Sequence, residues 1–342
     1  MNFKKLKNNY QKMIKAVDII FGLAWGDEGK GKVSNGISKN YDIVCRWNGG
    51  PNAGHTVYLN DKKYKTHIIP CGIFQNKLSI IGPNCVINID KFCDEIEYLK
   101  REGFDTSLIK VSPKAHIITE KHIQYDLKFL KPKLGTTGQG IAPCYSDKAL
   151  RVGKLAKHYL DKQYIWNEQL YGDILCEGAQ SFWLDLNYGD YPYVTSSETL
   201  PYSACSLGFS PKKIRDIIGV AKIYDTKSGV DPLFPESLWE DSELNMIIDI
   251  GQEFGSTTGR KRIVNWLNLN KLIDAVKISG VTKLIINKCD VLEQINTFKL
   301  YQNNSLYKFN TLQGIESFIK AYFNHALNDY IEVIFSGDKS KI

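Results

Sequence analysis

A short apolar run, Val17-Asp18-Ile19-Ile20-Phe21-Gly22-Leu23, leads almost directly into Trp25-Gly26-Asp27-Glu28-Gly29-Lys30-Gly31-Lys32-Val33. β-rich residues followed at once by three glycines predict a strand, a tight turn and a helix start, in that order. The pattern recurs. Residues 43–47, 78–82, 173–176, 216–223, 283–287 and 330–335 are further strand-like runs, while 91–102 and 270–279 have helical spacing. Strands that alternate with helices build an open sheet covered on both faces. The expected fold class is therefore α/β: a single large domain with a central, mostly parallel β-sheet flanked by helices. In such sheets ligands gather at the carboxyl ends of the strands, on the loops.

Composition supports a buried core, with 43% hydrophobic and 24% charged residues in a chain of 342. The net charge of +7 suits a phosphate-rich ligand and is too diffuse to argue for nucleic acid. Lys4, Lys5, Lys7, Lys12 and Lys15 fall in the first fifteen residues without one acid. Residues 1–15 are expected to be a basic, solvated extension, with the domain proper over 16–342. No run reaches the roughly 18 apolar residues of a membrane helix, and no signal-peptide core follows the lysines. The eight cysteines include no Cys-x-x-Cys pair, so buried thiols in a reducing cytoplasm are expected rather than disulfides or zinc.

The first loop is built for an anion. Its glycines let backbone N–H groups converge, the following helix start adds a positive dipole end, and Lys30 and Lys32 supply point charges. The spacing is not that of the common P-loop. Asp27 is unusual there, because it places a carboxylate in a loop otherwise built to bind an anion. Either a bound magnesium ion or a base placed beside a phosphoryl acceptor would reconcile the two.

The segment 25–32 resembles the signature of the adenylosuccinate synthetase family, and the resemblance runs on through the chain. Trp47-Asn48-Gly49-Gly50-Pro51-Asn52-Ala53-Gly54-His55-Thr56-Val57 is similar to the family's second loop, and His67-Ile68-Ile69-Pro70-Cys71-Gly72-Ile73 to the strand and turn after it. Gly135-Thr136-Thr137-Gly138-Gln139-Gly140-Ile141-Ala142-Pro143 is similar to its threonine loop. Glu177-Gly178-Ala179-Gln180 and Tyr191-Pro192-Tyr193-Val194-Thr195-Ser196-Ser197 follow. Then come Gly255-Ser256-Thr257-Thr258-Gly259-Arg260-Lys261-Arg262 and Asn287-Lys288-Cys289-Asp290. Each block is short; their shared order is the specific signal.

The resemblance implies a P-loop-like GTP-binding ligase acting in two steps. GTP phosphorylates the 6-oxygen of IMP, and the amine of L-aspartate then displaces that phosphate to give adenylosuccinate. Asp27, His55 and Lys30 would be catalytic: Asp27 as the base at the purine N1, His55 as donor to the β/γ-phosphate region. Mg²⁺ would be held by Asp27 and the Gly54 carbonyl. GTP would lie against Gly26, Glu28, Gly29, Lys30, Gly31, Lys32, Gly54, His55 and Thr56. Arg262, Lys288, Asp290 and Gly337 (with Ser336) would complete its site. Asp290 would accept from the N1–H and 2-amino group of guanine, a donor pair that adenine lacks. IMP would contact Asp27, Asn52, Ala53, Thr137, Arg151, Gln180, Thr195 and Arg260. Ser256, Thr257, Thr258, Gly259, Arg260 and Arg262 would take the aspartate, the arginines by bidentate clamping. A homodimer in the cytoplasm is implied, with neither nucleic acid nor membrane as partner.

The chain departs from the family pattern in places. It is trimmed between Lys154 and Asp173 and after Asp290, Gln139 replaces a usual arginine, and Ser181 a usual glycine. Arg151 is the one arginine near the position where the family reaches across a dimer to the partner's IMP. Three alternatives stand beside the IMP reading. A viral-type relative acts on dGMP, but it typically replaces the loop aspartate with a smaller hydroxyl residue, and Asp27 is retained. A GTP-binding regulatory protein would not need the aspartate loop. An inactive paralogue fits the trimmed segments but not the Asp27/His55 pair.

Overall fold

The computed structural model describes residues 13–229, 231–232, 234, 241–255, 259–327 and 329–337. Most of the 1–15 extension thus lies outside the described residues, and the first strand, β1 (Ile14–Gly22), opens at Ile14. β2 (Ile43–Gly49), the hairpin β3 (His55–Leu59) and β4 (Lys62–Thr66), β5 (Leu78–Ile87), β6 (Ile109–Val111) and β7 (His116–Ile117) follow. Next are β8 (Gly172–Ser181), β9 (Ile214–Lys222), β10 (Tyr224–Lys227), β11 (Ile263–Asn268) and β12 (Lys283–Asn287). β13 (Phe298–Gln302), β14 (Ser305–Phe309) and β15 (Glu332–Phe335) complete the series.

Nine strands form one sheet in the order β15-β12-β9-β1-β8-β2-β5-β6, with β7 also on β5. Every pairing in it is parallel. The expected α/β architecture is what forms. β1 lies between β8 and β9, so both of its edges are paired, and both of its faces are covered as well: Val17, Ile19 and Phe21 enter the larger core cluster, Ile20 the opposite one with Val33, Val44 and Leu175. A strand buried on two faces reads as a continuous apolar run, because successive side chains alternate between faces.

Helices α1 (Lys30–Ser38), α2 (Ile89–Arg101), α3 (Ile141–Leu150) and α4 (Ser242–Gly251) connect these strands, with α5 (Leu269–Ser279), α6 (Cys289–Ile295) and α7 (Leu312–Ala326) after them. A second sheet, β10-β11-β13-β14, mixes antiparallel and parallel pairs and was not expected. Its strand β11 starts directly after Arg262, which lines the cleft. The eight cysteines are free and six are buried. No helix among the described residues is long and apolar enough to cross a membrane.

Candidate active site

β1 delivers the first loop to the carboxyl edge of the sheet. Gly26, Asp27 and Gly29 adopt φ of +101°, +62° and +93°. Aspartate is one of the few non-glycine residues that tolerates the left-handed region, as a single residue. Glu28 is buried inside the turn and braces it: Oε1 accepts from the Gly26 N–H at 2.8 Å and Oε2 from Lys30 Nζ at 2.7 Å. Burial opposes its ionisation, but the Lys30 ammonium and hydrogen bonds outweigh this and hold its carboxyl below the ordinary range. α1 begins at Lys30 with Gly29 as a cap that brings no side chain. Its first N–H groups therefore remain for a ligand, at the positive end of the helix. A Cβ on Gly31 would stand 3.0 Å from His55 Cβ and 3.1 Å from the Thr56 carbonyl, so glycine lets the second loop close over the first. Gly26, Asp27, Gly29, Lys30, Gly31, Asn52, Ala53, Gly54, His55, Thr56 and Arg262 thus share one cleft of about 290 Å³. Lys32 turns elsewhere, its Nζ 2.7 Å from Ser336 Oγ.

His55 is buried, with Nδ1 2.7 Å from Glu177 Oε1. A carboxylate only accepts, so the proton sits on Nδ1 and the neutral ring keeps a lone pair on Nε2. Glu177 also accepts from Arg46 Nη2 at 2.6 Å, Ser34 Oγ at 2.6 Å and the Cys71 N–H at 3.0 Å. Burial works against its charge, but His55 and Arg46 keep its carboxyl far below the usual range. Burial and then the Arg46 guanidinium push the His55 imidazole down to about 4, against the pull of Glu177. Polyphosphate in the cleft would favour the protonated ring, since nearby negative charge raises a histidine's pKa.

Asn52, Thr137 and Gln180 line both this cleft and an adjoining one of about 260 Å³ that reaches Thr195 and Lys227. Asn52 Oδ1 and Gln180 Oε1 are buried with no partner among the described residues. Each orphaned acceptor costs about 1–3 kcal/mol, which a ligand carrying N–H or O–H donors would recover. Gln180 is held at φ +57°. Arg260 is exposed and donates to the Gly135 carbonyl at 3.3 Å, spanning to the threonine loop. Ser256, Thr257 and Thr258 lie outside the described residues; Gly259 beside them has φ +66°.

Arg262 enters the cleft between two carboxylates. Nη2 is 2.8 Å from Asp27 Oδ2, and Nη1 donates to Glu253 Oε2. Glu253 is fully buried and also accepts from Lys222 Nζ at 2.8 Å and Tyr224 Oη at 2.6 Å. Asp27 and Gly54 line the same cleft, and a carboxylate with a backbone carbonyl is the kind of oxygen donor set that a hard cation such as Mg²⁺ takes.

Asp290 stands in the first turn of α6, with Oδ1 buried and unpartnered among the described residues. A Cβ on Gly337 would fall 2.9 Å from Asp290 Cβ, so only glycine permits this approach. Asn287 Nδ2 donates to the Glu28 carbonyl at 2.8 Å, tying the base-side loop to the phosphate loop. Lys288, at φ +68°, donates to the Gly251 carbonyl at 2.7 Å. Arg151 is the exposed C-cap of α3 at φ +66° and does not line either cleft.

Sequence reasoning gave no role to Glu177, Arg46, Glu253 or Lys222. Arg46 and Lys222 had a signal: a charge inside or ending an apolar strand that is buried on both faces must be paired. Glu253, in a loop, had none.

A family model described as "Adenylosuccinate synthetase" matches residues 19–171 and 154–318, overlapping in the region where the chain is trimmed. An adenylosuccinate synthetase of Parabacteroides distasonis is 37% identical over 375 residues, covering 93% of this chain and 86% of that protein. One of Porphyromonas gingivalis is 38% identical, covering 83% and 80%. Among solved structures, a fully ligated adenylosuccinate synthetase from Plasmodium falciparum is similar with TM-score 0.75 and 31% identity, over 87% of this chain and 84% of that one. A cyanophage S-2L succinoaminodeoxyadenylate synthetase bound to dGMP and dATP, at TM-score 0.68 and 20% identity over 90% and 99%, shares the fold.

Proposed function

The chain belongs to the adenylosuccinate synthetase family, a family of GTP-dependent ligases of purine biosynthesis, and we propose that its own cleft carries the two-step reaction as follows. Asp27 takes the N1 proton of IMP, and the resulting 6-oxyanion attacks the γ-phosphate of GTP. His55 donates to the phosphates as charge builds on the leaving GDP, Glu177 holding the ring from behind, while Lys30 and the open N-terminus of α1 stabilise the same charge. The aspartate amine then displaces phosphate from C6. Arg260 and Arg262 clamp its carboxylates together with Ser256 to Gly259, and Asn52, Ala53, Thr137, Gln180 and Thr195 hold the IMP. Asp290 and Gly337 read guanine. Lys32, Lys288 and Glu28 support that nucleotide through the loop contacts they make. Mg²⁺ on Asp27 and the Gly54 carbonyl would neutralise phosphate charge.

The observation that carries this reading is the meeting of Asp27, His55 and Lys30 in one cleft with the orphaned acceptors of Asn52 and Gln180. The catalytic unit is the domain expected over 16–342, joined by Ile14 and Lys15 at the start of β1, and the setting is cytoplasmic. Leu150 and Val152, exposed at 67% and 66%, flank Arg151, and Tyr191 is exposed at 75%. Covering such apolar groups in a homodimer would bring Arg151 towards a partner's IMP.

The test mixes the protein with Mg²⁺, GTP, aspartate and either IMP or dGMP, and follows succinyl-nucleotide formation. Product from IMP supports the reading, and product from dGMP alone moves the chain to the viral-type activity. GTP hydrolysis without ligation from either acceptor defeats it. Sedimentation of the wild type and of Leu150→Asp tests the dimer: a wild-type monomer overturns it.

A further inference from the structure

We propose that Glu253 is a positioning residue for aspartate ligation, acting through Arg262; the inference rests on the reaction proposed above. Glu253 grips Arg262 twice. Its carboxylate accepts from Nη1, and its backbone carbonyl accepts the Arg262 N–H at 3.0 Å. Between the two residues the chain folds back on itself: Gly255 N–H donates to the Arg260 carbonyl at 2.8 Å, and Phe254 bridges Lys261. Glu253 and Arg262 therefore close the base of the loop that contains the aspartate motif. Lys222 and Tyr224, at the junction where β9 passes into β10, bind the same carboxylate and tie that base to the main sheet.

The consequence for Arg262 is geometric. A guanidinium is a rigid planar fork, so fixing Nη1 fixes the directions of Nη2 and Nε. With Nη1 on Glu253, Nη2 points to Asp27 at 2.8 Å, and the buried Nε has no partner among the described residues. One end of the fork is fixed on Glu253, and Nη2 is held against Asp27, which lines the cleft. Preset donors are worth most where the bound carboxylate would otherwise have to order a long side chain. Glu253 touches no substrate in this scheme; its effect passes through the direction of Arg262.

The test begins with Glu253→Gln, which keeps the shape and removes the charge. The expected result is a rise of at least tenfold in KM for aspartate, with KM for IMP changed less than twofold. A purely structural role would lower the active fraction and kcat while leaving both KM values unmoved, and that pattern would overturn the inference. In an Arg262→Ala background, Glu253→Gln should leave the aspartate KM unchanged; a further tenfold rise there would also overturn it. Should Glu253→Gln fail to fold, Tyr224→Phe removes only one donor to Glu253 and should raise the aspartate KM two- to fivefold; no change counts against the proposal. A wild type that forms no ligated product sinks the reaction but not the positioning. That is read separately from nitrogen NMR of the Arg262 guanidinium, whose rotation should be slow in the wild type and fast in Tyr224→Phe. Equal rotation rates in the two would reject it.

Discussion

Glu177 and Glu253 each back one cleft residue, His55 and Arg262, and both are fully buried and hold an arginine. Glu177 is in the second half of β8, and its partners come from α1, β2, β3 and the turn after β4, all laid on the parallel sheet. It holds His55 at the cleft without occupying the cleft itself. Glu253 lies in the loop after α4, beside the second sheet, and the arginine it holds reaches Asp27, the proposed base. In the proposed reaction the His55 side, the phosphate half, is thus open to its ligand, while the Arg262 side, the aspartate half, is filled with its own ion pair. That ion pair must open, or be shared, before Asp27 can receive a proton.

The comparison breaks most sharply in the chemistry. Asp27→Ala should lower kcat by on the order of 10³ and His55→Ala by on the order of 10², from removing a base and a charge-stabilising donor. Both variants should keep the wild-type circular dichroism spectrum. Near-normal turnover in either would show that the residue is not in the reaction.

Stability separates the two carboxylates next. Glu177→Gln leaves Arg46 charged at zero exposure, and an arginine cannot shed its proton. Breaking such a pair costs about 3–5 kcal/mol. Glu253→Gln leaves Lys222, whose pKa burial already lowers against the pull of Glu253, and Arg262, which keeps Asp27. A lysine can neutralise, so about 1–2 kcal/mol is expected. Urea unfolding of the two variants measures both; equal losses would mean that the two networks are anchored alike.

The same division explains what could be read in advance. Strands such as 283–287 and the core of β1 announce themselves, because a parallel strand buried on both faces is an unbroken apolar run. The Gly/Lys loop was legible because few backbones can approach a phosphate, and the Asn-Ala-Gly-His-Thr segment through its resemblance to the family's second loop. The second sheet was not. β14 (Ser-Leu-Tyr-Lys-Phe) is mostly exposed, and its alternation is weak, so nothing in five residues sets its register. Nor could composition reveal that Arg262 rests on Asp27, since an ion pair between positions 235 residues apart depends on tertiary closure.

His55 gives a subtler contrast. Its folded-state pKa of about 4 lies below the ordinary 6.5. Between those values the unfolded chain binds a proton that the folded protein refuses, so this residue makes stability fall as pH drops from 6.5 towards 4. NMR of the ring should show no titration above about pH 5 in the free protein. With GTP analogue, Mg²⁺ and IMP bound, the midpoint should rise by a unit or more. A free-protein midpoint near 6.5 would mean that Glu177 dominates over burial and Arg46.

The smallest effect belongs to Asp225, a further buried acid on the Glu253 side. It accepts the Asn268 N–H at 2.8 Å, and burial pushes its carboxyl up to about 7, against that hydrogen bond and the pull of Lys271 and Lys222. The sign is opposite to that of His55. Between the ordinary value of 3.8 and about 7, the folded protein keeps a proton that the unfolded chain has lost. Stability from this group is therefore present below about pH 4 and lost as pH rises through about 7. An amide in place of this carboxyl would not titrate, and its oxygen can still accept from Asn268. Asp225→Asn should accordingly gain about 1–2 kcal/mol over wild type at about pH 8 and little at about pH 4.5. Urea unfolding at the two pH values measures the difference. A variant less stable than wild type at the higher pH would show that Lys222 and Lys271 keep Asp225 ionised. The aspartate half of the cleft would then be held by charge as firmly as the phosphate half.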